Sequence, residues 1–292
     1  MGKSCMGICA TVNGCGKQIM MNLNEIDGLV VVCESIVREA GEMILKAKLT
    51  VKSVHQKEGI ANFVTNFDIE VQKFLIGKFK ELLPEASFFG EEDTEGNTKR
   101  PTEGYCFYID PIDGTTNFIF GYQHSCVSVG LAYQGKMVAG LVYDPYTDSM
   151  YKAVRGKGSY LNGRRLLITN KSIAEGIAAF GCARYNEGDT DLLFDVVKEV
   201  YLHSLSVRNG GSAALDLCRV ASGANVVYLE LKLQPYDYAA ASVIIKEAGG
   251  VIRQVDGCEI TLDRPCSILA GTTLACGGVE GIIERYRVEG II

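Results

Sequence analysis

The stretch Asp110-Pro111-Ile112-Asp113-Gly114-Thr115-Thr116-Asn117-Phe118 sets two carboxylates three residues apart, the first followed by Pro and the second by Gly-Thr-Thr. Pro111 fixes its own φ and biases Asp110 toward extended backbone. The apolar run over residues 106–109 predicts a buried strand, so Asp110 is expected where a strand ends and Asp113 one tight turn later. Both side chains can then converge on one hard cation, which prefers oxygen ligands. Gly114 allows the backbone to approach a ligand closely. Thr115, Thr116 and Asn117 offer N–H groups and hydroxyls at an expected helix start, a natural anion site. An isolated Asp-Gly pair is usually only an acidic turn. Nine consecutive residues of this chemistry predict a metal-plus-phosphate site instead.

Further motifs flank it. Gly90-Glu91-Glu92 follows the apolar pair Phe88-Phe89, and Pro235-Tyr236-Asp237 heads an Ala-rich run over residues 238–250. Together with hairpin-like stretches at 140–145 and 156–163, these elements resemble the inositol monophosphatase family, magnesium-dependent and lithium-sensitive sugar phosphatases. The three motifs stand in that family's order, and the similarity runs over residues 25–285. Tyr236 occupies the position where the family carries Trp, in a chain that has no Trp.

The resemblance implies an α/β (α+β) fold, a five-layer αβαβα sandwich. It places Glu91, Asp110, the carbonyl of Ile112 and Thr115 around a first Mg2+ and its water, and Asp110, Asp113 and Asp237 around a second. Two or three ions are expected, with Mn2+ able to substitute. Asp68 matches the aspartate that pairs with the Thr115 hydroxyl to activate the attacking water; read alone it is an N-cap at a helix start, and with the resemblance both roles are expected. Asp68, Thr115 and Glu91 are thus the catalytic candidates. Asp113, Gly114, Thr115, Thr116 and Asp237 are candidates for the phosphate side. Gly211, Ser212, Ala213 and Glu230 are candidates for the polyol, with Ser212 where the family has Thr. Glu92 reads as solvated, and Lys57 as part of a mobile lid. A homodimer is implied by the resemblance alone.

The rest of the chain is consistent with this chemistry. Its 292 residues carry a net charge of −6, which argues against a nucleic-acid surface. Bound metal ions would invert the local field, so an acidic protein can still take phosphate esters. Eleven cysteines without a repeating spacing read as reduced thiols of a cytoplasmic protein. No run is apolar enough for a signal peptide or a membrane span, and residues 14–18 lack the Ser/Thr of a phosphate-binding loop. His55, His124 and His203 are scattered, and no His/Cys cluster favours zinc.

Residues 1–22 read as a disordered extension. Residues 23–292 read as one phosphatase domain, with a metal-binding half over 23–165 and a substrate-binding half over 166–292. Apolar periodicity predicts helices over 25–48, 68–83, 190–200, 212–221 and 238–248, strands within 125–154, and strands over 177–181, 226–231 and 251–254.

The expected activity is hydrolysis of a small phosphate monoester, foremost inositol monophosphate. Fructose-1,6-bisphosphatase or a dual-specificity sugar phosphatase is the alternative within the same chemistry, with Arg184 and Arg208 as candidates for a second phosphate. Thr116-Asn117 differs from the Lys-Glu usual in 3′-phosphoadenosine 5′-phosphate phosphatases. A regulatory protein that retains the fold without relying on catalysis is the alternative of another class.

Overall fold

The computed structural model of the chain describes residues 21–47, 54–56, 63–92, 103–182 and 190–288. Lys57, Arg184 and residues 1–20 lie outside the described residues. Met21 and Asn22 lie inside: the Met21 N–H donates to the Tyr105 hydroxyl at 2.5 Å, and Asn22 Oδ1 accepts the N–H groups of Asn24 and Glu25. Glu25 returns the bond by accepting the Asn22 N–H at 2.8 Å, a capping box that starts the first helix, α1 (Leu23–Ala47). Its stripe of Ile26, Leu29, Val30, Cys33, Val37, Ala40 and Ile44 is buried, as the helical spacing predicts.

The short strands β1 (Val54–Gln56) and β2 (Phe63–Thr65) pair antiparallel ahead of α2 (Asn66–Leu82), whose Val71, Leu75 and Phe79 are buried. A seven-stranded sheet follows in sequence order: β3 (Ser87–Gly90), β4 (Tyr105–Asp113), β5 (Cys126–Tyr133), β6 (Lys136–Asp144), β7 (Ser149–Val154), β8 (Gly158–Leu161) and β9 (Arg164–Leu166). All its pairings are antiparallel except β3 with β4. A one-turn helix, α3 (Thr115–Ile119), lies between β4 and β5.

The second sheet is built from β10 (Ile177–Phe180), β11 (Ser206–Arg208), β12 (Val227–Leu233), β13 (Val251–Arg253) and β14 (Cys266–Gly271), in the order β11-β10-β12-β14-β13. Four further helices cover it: α4 (Thr190–His203), α5 (Ala213–Ala221), α6 (Pro235–Glu247) and α7 (Thr273–Val288).

The layers follow from which faces meet. Helices α1 and α2 cover one face of the seven-stranded sheet, and α5 and α6 fill the space between the two sheets. Helices α4 and α7 close the outer face of the five-stranded sheet. The expected αβαβα sandwich is the observed fold. The central layer forms because α6 is hydrophobic all round, with residues 237–245 buried. It also needs small residues opposite: Gly130 and Gly140 are cross-strand partners under α6, and a Cβ at Gly140 would lie 2.2 Å from the Ala240 carbonyl oxygen. No helix among the described residues is long and apolar enough to cross a membrane.

Two features depart from the sequence reading. Strand β4 does not stop at Asp110 but continues to Asp113, with its register against β5 shifting between these two residues. The irregularity takes the place of the expected turn. Strands β1, β2, β3, β9, β11 and β14 and helix α7 were not assigned from the sequence; in α7, Gly277, Gly278 and Gly281 weaken the helical signal.

Candidate active site

Strand β4 delivers the first two carboxylates. Asp110 Oδ1 accepts the Ile112 N–H at 3.0 Å, which folds the chain around the irregular register and turns Asp113 toward the same cluster. Asp237 arrives from the first turn of α6, behind Pro235 at a position where proline is preformed for a helix. Its Oδ2 accepts the Gln234 N–H at 2.8 Å. It is therefore a helix cap as well as a member of the acidic cluster. Ligand oxygens of Asp110, Asp113 and Asp237 all lie within 4.8 Å of one another, and so do those of Asp68, Glu91 and Glu92.

Glu91 and Glu92 follow β3, whose Phe89 ring packs against Tyr236 at 6.1 Å between centroids, so the Tyr in the Trp position still bridges two of the motifs. Glu92 is a correction: it is buried, not solvated. Gln72 of α2 clamps its backbone, donating to the Glu92 carbonyl at 2.8 Å and accepting its N–H at 2.9 Å. Asp68 is also not an N-cap. It is the third residue of α2, fully buried, and its Oδ1 accepts the Thr115 hydroxyl at 3.2 Å. The same hydroxyl lies 3.2 Å from the Ile112 carbonyl. Gly114, at φ 90°, makes the turn into α3. A Cβ there would meet the carbonyls of His124 and Gly211 at 3.0 and 3.1 Å.

The second half docks onto Asp113. Its Oδ2 accepts the Ser212 hydroxyl at 2.6 Å and the Ala214 N–H at 2.7 Å, and its Oδ1 accepts the Ala213 N–H at 3.3 Å. Asp113 thus caps α5 from a distant strand. Asn117 Nδ2 donates to the carbonyls of His124 and Gly210, both at 2.8 Å, and fixes the adjoining loop. Asp216 Oδ2 accepts the Gly210 N–H at 3.0 Å.

These groups line one cavity of about 410 Å³. Glu91, Asp110, Asp113, Asp216, Glu230 and Asp237 all face it, and among the described residues no Lys or Arg does. Burial, and then the charge of Glu91, pushes the Asp110 carboxyl well above the ordinary range. Asp237 is raised well above it by burial and then by Asp113. Asp113 is raised by burial against the opposing pull of the Ser212 and Ala214 bonds. Glu230 is pushed up to about 8, by burial first, against a lowering bond from Tyr228. So many buried carboxylates in one cleft are ionised together only with cations among them, and an all-oxygen donor set fits Mg2+.

Of the sequence candidates, Glu91, Asp110, Ile112, Asp113, Glu230 and Asp237 line this cavity, and Asp68 joins it through its bond to the Thr115 hydroxyl. Gly114, Thr115, Thr116, Gly211, Ser212 and Ala213 line the same cavity. Arg208 is not among its lining residues; its guanidinium bonds Ser206 and the Val207 carbonyl. His203 is exposed, while His124 is buried 3.7 Å from Asp216, behind the loop rather than in the cavity. The sequence reading missed Asp216 and Tyr228. Tyr228 had a visible signal, since it precedes Glu230 by two on a strand and so shares its face.

Comparison with known proteins agrees with this geometry. The sequence matches the Inositol monophosphatase family over residues 26–284. It is 34% identical over 256 residues to an inositol-1-monophosphatase of Bacillus subtilis, covering 86% of this chain and 94% of that one. It is 36% identical over 225 residues to inositol monophosphatase 1 of Bos taurus, covering 75% of this chain and 80% of that one. Among solved structures, SuhB of Bartonella henselae superposes with a TM-score of 0.79 at 28% identity, covering 89% of this chain and 98% of that one. A motif triplet, a five-layer fold and one carboxylate-lined cleft are thereby joined to kinship over nearly the whole chain: the protein belongs to the inositol monophosphatase family of phosphoric monoester hydrolases.

Proposed function

We propose that the protein hydrolyses monophosphate esters of inositol with Mg2+ as the working cation. The observation that carries this reading is the cleft itself, whose six carboxylates face a substrate that is also an anion, with no Lys or Arg among the described lining residues. Glu91, Asp110, Asp113 and Asp237, with the carbonyl of Ile112, would hold two or three ions, and Mn2+ would fit the same donors. Magnesium supplies Lewis acidity there, acidifying a water and offsetting the charge that builds on the phosphoryl and leaving oxygens.

The protein's own groups orient and move the proton. Thr115 Oγ1 accepts a proton from the attacking water while passing its own to Asp68 Oδ1, the acceptor already bonded to it. N–H groups of residues 114–116 hold the phosphoryl oxygens, and Glu230 accepts hydroxyl hydrogens of the ring. In this reading residues 23–165 and 166–292 are the two halves of one domain, the second supplying Asp237 and the polyol contacts. Lithium, another small hard cation, competes for the carboxylate oxygens and inhibits. The eight described cysteines are all free thiols, which supports a reducing, cytoplasmic setting; the family kinship supports a homodimer.

The test is phosphate release from inositol 1-phosphate, fructose 1,6-bisphosphate and 3′-phosphoadenosine 5′-phosphate, with and without Mg2+ and with Li+ added. Magnesium-dependent, lithium-inhibited turnover that favours inositol 1-phosphate supports the reading. Folded, magnesium-loaded protein that turns over none of the three would sink it.

A further inference from the structure

Tyr228 and Glu230 stand two apart on β12, on one face of the strand, and both line the cavity. The Tyr228 hydroxyl donates to Glu230 Oε2 at 2.5 Å, and both side chains are buried. Gly181 closes this corner: a Cβ there would fall 1.9 Å from Glu230 Oε2 and 2.4 Å from the Tyr228 hydroxyl. The pair therefore fits against the end of β10 because residue 181 carries no side chain, and the Tyr228 bond fixes Oε2 there. Oε1, the second oxygen, accepts no hydrogen bond among the described residues and belongs to a side chain that faces the cavity.

We infer that Tyr228 is the positioning residue that sets substrate choice, by locking Glu230 so that Oε1 accepts a hydroxyl hydrogen from the alcohol part of the ester. The inference rests on the phosphatase reading and narrows it. A hydroxyl donor suits Oε1 and an anionic group does not, because Asp113 and Asp216 add negative charge around Glu230. A second phosphate at this end would meet carboxylates and no described Lys or Arg. The corner around Oε1 thus suits a phosphate ester whose alcohol part carries a free hydroxyl. The locked carboxylate gives discrimination because a ligand without the matching hydroxyl leaves a buried acceptor unmade.

The experiment compares wild type with Tyr228→Phe on inositol 1-phosphate and on phenyl phosphate, which has no hydroxyl to offer. Loss of one donor to a charged acceptor should raise KM for inositol 1-phosphate about five- to tenfold with kcat within about twofold. KM for phenyl phosphate should not follow. Glu230→Gln, which replaces one carboxylate oxygen by an amide donor, should show the same split and raise relative turnover of fructose 1,6-bisphosphate. Equal changes with both esters, or none with either, would overturn the role of Tyr228 while leaving the phosphatase reading intact. A wild type that releases phosphate from neither ester overturns both.

Discussion

The Ser212 hydroxyl donates to Asp113 Oδ2 at 2.6 Å, tying an aspartate on a strand of the first sheet to the N-cap of a helix in the central layer. The same oxygen accepts the Ala214 N–H, so one carboxylate both joins the acidic cluster and starts α5. Geometry of the cluster and placement of the polyol-side loop are consequently coupled through a single side chain.

Ser212→Ala removes one donor to a buried carboxylate and leaves both backbone bonds in place. A loss of about 1 kcal/mol is expected, a fall of about 2–4 °C in Tm for a domain of this size. Magnesium affinity should weaken severalfold, because Asp113 is then held by backbone N–H groups alone. Calorimetry with and without Mg2+ reads both effects. An unchanged magnesium affinity would show that the coupling does not reach the cluster.

Asp237 separates capping from chemistry. In Asp237→Asn an amide oxygen can still accept the Gln234 N–H and keep this side of the capping box, so the stability should change by less than about 1 kcal/mol. Turnover should fall by about a hundredfold or more, since a negative ligand oxygen is lost from the cluster. Phosphate release beside thermal unfolding distinguishes the two. A parallel collapse of both would mean that the residue acts mainly as a cap.

Burial raises the carboxyl groups of Asp110, Asp237 and Glu230, the last from 4.5 to about 8. Between those two values the folded, metal-free chain binds more protons than the unfolded one, so its stability falls as pH rises. The contribution of Glu230 is complete below about 4.5 and lost once pH passes about 8. Tm measured in chelator should therefore decline across that window. Magnesium at about a hundred times its Kd should restore about 2.7 kcal/mol by binding only the folded state. A chelated Tm that rises with pH would contradict the electrostatic account of the cleft.

Gly140→Ala tests the central layer. The added Cβ would press on the Ala240 carbonyl, at 2.2 Å, and α6 carries Asp237. Overpacking of this kind is expected to cost about 1–3 kcal/mol, and magnesium affinity should fall with it as α6 shifts. Gly28→Ala is the control: it lies exposed in α1 with nothing within 4 Å of the added carbon. It should stabilise by about 1 kcal/mol through helix propensity alone.

The acidic ligands were legible in the sequence because the chemistry that holds a cation is local. Asp110 and Asp113 come from one short segment, Glu91 follows an apolar pair, and Asp237 heads a helix signal; each motif carries its own local chemistry. The helical periods of α1, α2 and α4 were legible for the same reason, being repeats of neighbouring residues. Where the glycines diluted the period, as in α7, the signal failed.

What the tertiary structure alone decided was which groups are buried and which distant partners they find. Glu92 reads as a solvated acid until Gln72, 20 residues earlier, closes on its backbone. Asp68 reads as a cap until α2 is seen to begin at Asn66 and to turn that carboxylate toward Thr115, 47 residues away. Asp113 joins Ala214 across 101 residues. The sequence of each segment sets its own dihedrals and chemistry, but such contacts depend on the packing of five layers, and burial is a property of the whole.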